Sequence, residues 1–283
     1  MMQILSDYFE NDALRASFRR LALDTFGLDF EPWYQSGAFH GRYHPFSVED
    51  DGEILANISA NEFCLCVEGK IAKAMQLGTV MTRKEHRGRG LARQLMEYSL
   101  PLLRERSDFI FLFANDTVLG FYPRFGFRRI PEVRYQVPVS PCSARRPGAE
   151  PVLFSQNREE LLAAVKRRVP ASRAFAPVED IWPMDACLAD ASILRLPEGH
   201  CVLWEKEGSV FTVQDIISVK PFNLTDVIPY LDLSGCDTLR FHFLPEGLAY
   251  RREEVWEDDD ALFVLGPREA LPRDFAFPAT SHT

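Results

Sequence analysis

At 283 residues and 46% hydrophobic content, the chain is long enough for one large or two modest domains with packed cores. No apolar stretch in it reaches membrane-spanning length, so no membrane is expected as a partner. Acidic side chains outnumber basic ones, 41 to 32, and the net charge of −9 argues against a nucleic-acid partner.

The charge is unevenly shared. Residues 1–137 hold 17 basic and 18 acidic side chains, and residues 138–283 hold 15 and 23. A solvated acidic surface and an acidic rim that draws in a cationic substrate both fit that asymmetry. The cysteines at 64, 66, 142, 187, 201 and 236 form no Cys-x-x-Cys pair, so no metal site is expected. Cys64 and Cys66 lie two apart in a strand pattern and read as buried, inert thiols. The first ten residues lack a basic region ahead of a long apolar one, which is not the form of a signal peptide; the expected location is the cytoplasm.

In chain order, Leu14, Phe18, Leu21 and Leu23 fall at helical spacing over residues 11–26, with Asn11 or Asp12 as cap. A short helix is expected over 29–36. Residues 33–45 are rich in aromatics and glycine without a regular period. Residues 46–49, 54–67 and 70–82 read as three antiparallel strands, joined by hairpin turns at 50–53 and 68–69. A polar turn, 83–87, leads into a helix over 90–106, whose apolar face is expected to be Leu91, Leu95, Tyr98 and Leu102. Residues 109–113 are wholly apolar, a buried strand. Asn115 ends it, a short helix over 117–122 follows with Asp116 as cap, and 127–137 supplies the last strands of this half.

The turn before the long helix is an anion site by its chemistry. A helix start carries backbone N–H groups without intrahelical partners and the positive end of the dipole. Gly88 and Gly90 let a phosphate approach the backbone, and Arg87, Arg89 and Arg93 add positive charge. No Gly-Lys-Ser/Thr triplet follows Gly90, so this is not a Walker loop. Arg93 stands where the dinucleotide fingerprint needs a third small residue.

What fits is Arg-x-x-Gly-x-Ala, read as Arg87, Gly90 and Ala92, with Asn115 and Phe121-Tyr122-Pro123-Arg124-Phe125-Gly126-Phe127 downstream. On these motifs the first 135 or so residues resemble the GNAT acyltransferases. The resemblance implies an α/β (α+β) fold, a mixed, mostly antiparallel sheet flanked by helices, with acetyl-CoA as co-substrate. It implies that the backbone of Val80, Met81 and Thr82 holds the pantetheine arm, with an N–H near Met81 available to a tetrahedral oxyanion. Arg87, Gly88, Arg89, Gly90, Leu91 and Ala92 would hold the pyrophosphate, and Asn115 would make a polar contact to CoA. Tyr122 matches the family's general acid, since a phenol of pKa near ~10 stays protonated at neutral pH.

The acceptor implied is an amine, on a small molecule or a peptide, with Trp33, Tyr43 and Gln76 as candidate contacts; His86 reads as a loop histidine. Strand 70–82 contains no Asp or Glu, so a general base must come from Glu31, Glu49, Glu62, the acidic second half or the terminal carboxylate at Thr283. The terminus is included because residues 275–278, Phe-Ala-Phe-Pro, can anchor a tail against the first domain. The alternative is no dedicated base at all. Three functions are weighed: direct N-acetyl transfer in a ternary complex, a non-catalytic acyl-CoA sensor or scaffold, and transfer of an acyl group to oxygen or of a longer acyl chain.

The expected domains are 1–137, a linker at 138–151 with its prolines, and 152–283. The second domain shows a helix over 158–168, a hairpin of 201–205 and 210–218 over Glu207-Gly208, a helix over 224–231 and a strand over 238–244. That order repeats 62–115 in outline. Its turn, Val219-Lys220-Pro221-Phe222-Asn223-Leu224, has no glycine, which reads as a degenerate GNAT-like copy unable to hold CoA. The acidic run across 253–260 reads as a solvated loop.

Overall fold

Asn11 caps the first helix as its residue type demands: in the computed structural model its Oδ1 accepts from the N–H of Ala13 at 3.1 Å and of Leu14 at 3.2 Å. The structure describes residues 1–39, 41–141, 145–179, 185 and 188–282. Helix α1 (Asp12–Phe26) ends at Gly27 in the left-handed conformation, φ 70°. Helix α2 (Glu31–Gln35) is shorter than expected. Strand β1 (Gln3–Ser6), which the sequence reading missed, precedes both.

The three expected strands form as β2 (Tyr43–Asp50), β3 (Glu53–Val67) and β4 (Lys70–Thr82). Their turns place Asp51 and Gly52, then Glu68 and Gly69, at positive φ, as a type I′ hairpin requires. Helix α3 (Leu91–Arg104) follows, then β5 (Phe109–Ala114) and β6 (Arg128–Arg129). The expected apolar face of α3 is half right. Leu91 and Leu95 are buried with Met96, Leu100 and Leu103, whereas Tyr98 and Leu102 are exposed. The inward face is centred on Leu95, Ser99 and Leu103, flanked by Met96 and Leu100, and Leu91 lies at its margin.

By contacts the chain divides into two units. Residues 1–62, 73–129 and 258–266 form the first, and 63–72, 130–257 and 267 onward the second. The division near here falls at 129/130, whereas the sequence places the expected boundary at 137/138. Strand β7 (Glu132–Pro138), assigned to the first half by the sequence reading, lies inside the second unit's sheet, between β13 (Thr238–Phe241) and β14 (Arg251–Val255). Strand β15 (Ala261–Leu265) returns to the first unit and lies between β5 and β6. The expected linker 138–151 runs into strand β8 (Glu150–Val152); residues 142–144 lie outside the described residues.

The first unit's sheet runs β1-β2-β3-β4-β5-β15-β6, with β4 and β5 parallel. The second unit has β10 (Ser192–Arg195), β11 (Cys201–Glu207) and β12 (Val210–Ile217) in a sheet of order β14-β7-β13-β12-β11-β10-β8, with β12 and β13 parallel. Read from opposite ends the two orders match strand for strand. The unit is a second copy of one topology, with one inner strand exchanged between copies. Strand β9 (Phe175–Val178) pairs with residues 64–67 of β3, which group with the second unit.

Other elements differ in detail. Helix α4 (Phe154–Val165) starts four residues earlier than expected. The expected helix 224–231 is one α-turn, α5 (Leu224–Val227), followed by a 3-10 turn. Glu253 and Glu254 are strand residues in β14, paired with β7, so the acidic run is only in part a loop. Among the described residues no helix is long and apolar enough to cross a membrane.

Candidate active site

Strands β4 and β5 pair only at Ala74 with Phe109, Met75 with Ile110, and Gln76 with Phe111. Beyond that point β4 continues to Thr82 and β5 to Ala114 without a shared register. The edge of β4 that faces the gap keeps backbone polar groups that the β5 ladder does not satisfy. Residues 74–77 are buried and 78–80 are half-buried, so the gap opens where the pairing stops.

The cause is local. Thr79 takes φ 45°, the left-handed region that a β-branched residue avoids. Such a residue stores about 1–3 kcal/mol of strain and persists only where its surroundings hold it. Here the Tyr43 hydroxyl and Thr79 Oγ1 are 2.8 Å apart, and Asn57 Nδ2 donates to the Thr79 carbonyl at 3.0 Å. Asn57 is in turn fixed: Ser47 Oγ donates to its Oδ1 at 2.8 Å, and its Nδ2 donates to Ser59 Oγ at 2.9 Å. The sequence reading missed this buried polar network. Its signal was visible in Asn57, Ser59 and Asn61, polar at every second position of an otherwise apolar strand.

The glycine turn lies at the end of β4. Gly88 and Gly90 have φ of 75° and 80°, and a Cβ at either would meet no atom within 4 Å. These glycines serve backbone conformation beside open space and fill no core. Gly90 is the N-cap of α3 and offers no side chain to the first-turn N–H groups, which leaves them for a ligand. Arg87 and Arg89 are exposed beside the turn, and Arg87 Nε donates to the Thr82 carbonyl at 3.2 Å. Arg93 is tied to Glu97 Oε1 at 2.8 Å, and Arg83 turns inward to the Ile54 carbonyl at 2.8 Å.

Asn115 follows β5, exposed, and caps the next turn: its Oδ1 accepts from Thr117 N–H at 3.1 Å. Asn115, and not Asp116, is thus the cap. Tyr122 opens a 3-10 turn (Tyr122–Phe125) that ends at Gly126, φ 90°. It is 5% exposed among Phe121, Phe127 and, from β15, Phe263. Burial pushes the phenol up to about 12.

The acceptor candidates divide. Tyr43 is buried, packed on Phe9, Phe18, Phe30 and Phe39 and bonded to Thr79, so it holds Thr79 in place. Trp33 is half-buried against Phe30. Gln76 is fully buried at the last paired position, where its Oε1 meets Asn61 Nδ2 at 3.5 Å. The candidate bases are engaged. Glu31 is bonded to Arg15 and Gln35, Glu49 to Gln3 and Gly52, and Glu62 to His44 and Arg106. Those hydrogen bonds hold the Glu31 and Glu49 carboxyls below the usual carboxylate range. Thr283 lies outside the described residues. The aromatics expected to anchor a tail on the first domain, Phe275 and Phe277, instead pack on Phe175 of the second unit.

Residues 12–130 match the family model described as an acetyltransferase (GNAT) domain. The match spans 119 of the 283 residues and marks this segment as GNAT-like; proteins of that family transfer acyl groups to amine acceptors in general. Among solved structures, an Enterococcus faecalis V583 protein described as a probable N-acyltransferase is similar over 93% of this chain and 72% of its own, at 14% identity and TM-score 0.62. A GCN5-related N-acetyltransferase from Kribbella flavida is similar over 93% and 71%, at 15% identity and TM-score 0.57. Eis1 from Mycobacterium abscessus is similar over 93% and 73%, at 17% identity and TM-score 0.55. At such identities the likeness is one of fold. No curated protein matches the sequence.

Proposed function

We propose that the first unit is an acetyl-CoA-dependent N-acetyltransferase that moves the acetyl group directly to an amine in a ternary complex. The observation that carries this reading is the opening of β4 from β5 after Gln76, with the Gly88–Gly90 backbone at its mouth. Bound acetyl-CoA supplies the thioester that the amine attacks. The free edge of β4 at Val80, Met81 and Thr82 pairs with the amide-bearing arm, and an N–H near Met81 donates to the developing oxyanion. Gly88, Gly90 and the first turn of α3, through Leu91 and Ala92, present N–H groups to the phosphates, with Arg87 and Arg89 beside them. The Nδ2 group of Asn115 offers donors at the end of β5.

Tyr122 acts on the leaving sulfur. Full transfer of its proton, from a phenol at about 12 to a thiolate whose thiol is near ~8.5, is uphill by about 5 kcal/mol. The phenol therefore donates a hydrogen bond as the C–S bond breaks. The proton that finally rests on sulfur is the one lost by the amine nitrogen, so the group is restored each turnover.

Free CoA release from acetyl-CoA, measured across a panel of primary amines, tests the reading. Turnover should depend on the amine, and Tyr122→Phe should lower kcat by about 10²–10⁴ with little change in acetyl-CoA affinity. Tight binding without turnover on any amine would support the sensor or scaffold role instead.

A further inference from the structure

The second unit contains a cavity of about 600 Å³ that acyl transfer in the first unit does not use. Its walls are the β3–β4 hairpin tip (Cys66, Gly69, Ile71), residues 169–173, residues 221–224 and the pair Glu246-Gly247. In sheet order, 221–224 is the turn after β12, the counterpart of the glycine turn after β4. Glu246 follows β13, as Asn115 follows β5. The cavity thus opens between the two loops that flank a cofactor site in the other copy.

Below it the end of β12 is tied down by buried polar contacts. Strands β12 and β13 pair from Val210 with Thr238 to Val213 with Phe241, and beyond that point Asp215 is held by the chain itself. Arg168 Nη1, at 2.8 Å, and Thr280 Oγ1, at 2.9 Å, both donate to Asp215 Oδ2, and all three residues are buried. That buried ion pair has no counterpart among the described residues of the β4–β5 gap, and no glycine in 219–224 lets a phosphate reach the backbone. What is left is a pocket with its own chemistry.

Ile71, Val169, Pro170, Ala171, Phe222 and Leu224 make most of the wall apolar. Two charged residues line it. Glu246 is committed: its Oε1 accepts from Ser172 Oγ at 2.8 Å, Arg173 N–H at 2.7 Å and Ala174 N–H at 3.0 Å. The Arg173 guanidinium lies across Gly69, with Nη2 3.3 Å from where a Cβ would stand. Among the described residues no carboxylate is within ion-pair distance of it. The pocket therefore offers an apolar trough with one uncommitted, planar, bidentate cation at its wall. Its volume is within the range of about 300–1,000 Å³ usual for small-molecule sites.

We propose that this cavity binds a small amphipathic carboxylate, its head paired with Arg173 and its hydrocarbon body on the Ile71, Val169 and Phe222 wall. Calorimetry on the full chain with decanoate, with decan-1-ol as the uncharged probe, tests this. Decanoate should bind one per chain, more weakly as salt rises, and saturating CoA should not displace it. Arg173→Gln, at an exposed side chain, should weaken decanoate about tenfold and leave decan-1-ol unchanged. Ala171→Trp should fill the trough and abolish both, with the acetyl-CoA affinity of either variant unaltered. Absence of saturable decanoate binding, an unchanged affinity in Arg173→Gln, or displacement of decanoate by CoA would each overturn the proposal.

Discussion

Replacing Tyr43 by Phe removes one oxygen from the first unit and leaves the ring packing on Phe9, Phe18, Phe30 and Phe39 intact. The lost group is the hydroxyl, which lies 2.8 Å from Thr79 Oγ1 and is also hydrogen-bonded to Ser59. A net hydrogen bond is worth about 1 kcal/mol, and half-buried Thr79 can recover part of it from water. The expected stability loss is about 1 kcal/mol, a fall in Tm of about 2–4 °C. The larger effect is on the site. Thr79 is held in a conformation costing about 1–3 kcal/mol by two bonds, and Asn57 Nδ2 is then the one that remains. If the full ~1 kcal/mol falls on the open conformation of the strand, the acetyl-CoA Kd rises about fivefold. Thermal melting, acetyl-CoA calorimetry and the acceptor KM separate the cases. A lower Tm with unchanged acetyl-CoA Kd and a raised acceptor KM would refute the reasoning and make Tyr43 an acceptor contact.

Gly90→Val forces a β-branched residue to φ 80° at the mouth of the site and should raise the acetyl-CoA Kd at least about tenfold by calorimetry. With Glu31, Glu49 and Glu62 all engaged, kcat/KM should rise about tenfold per pH unit up to the amine's own pKa, near ~10 for a lysine-like acceptor. Tyr122 stays protonated until about 12 and imposes no earlier alkaline limb; a plateau well below the amine pKa would mean that a protein carboxylate takes the proton. Residues 151–283 expressed alone should fail to give a cooperative melt, because they lack β7 and the 63–72 hairpin tip. Full-length protein should bind one acetyl-CoA per chain.

What the sequence displayed of the site was what depends on neighbours along the chain. The glycine turn, the strand before it and the amphipathic helix after it are all local patterns, and each forms within a residue or two of its expected bounds. The positive φ of Thr79 was not legible, because nothing in a Thr between Gly78 and Val80 asks for it; Tyr43 and Asn57, distant in sequence, hold it. The same distance hid the surroundings of Tyr122, since Phe263 arrives from the far end of the chain. Aromatics in 33–45 could be read as pocket or core with equal right. Burial decides for Tyr43, and composition has no means to.

The exchanged strands are the instructive failure, because their patterns contained the answer. Consecutive strands pair more often than not, so placing 132–138 beside β6 in the first sheet followed a sound prior. Yet the inner position between β5 and β6 is covered on both faces, and it requires a continuous apolar run. Strand β15, Ala-Leu-Phe-Val-Leu, is buried at every residue and satisfies that demand. Strand β7, Glu-Val-Arg-Tyr-Gln-Val-Pro, alternates, and in the same place would bury Glu132, Arg134 and Gln136 without partners. In the second sheet its Val133 and Tyr135 join the core, while Arg134 meets Glu257 and Gln136 meets Glu253 on the other face. Each strand therefore lies in the sheet whose faces match its period. The chain must cross between the units to place them, and neither half of the sequence encloses a complete sheet.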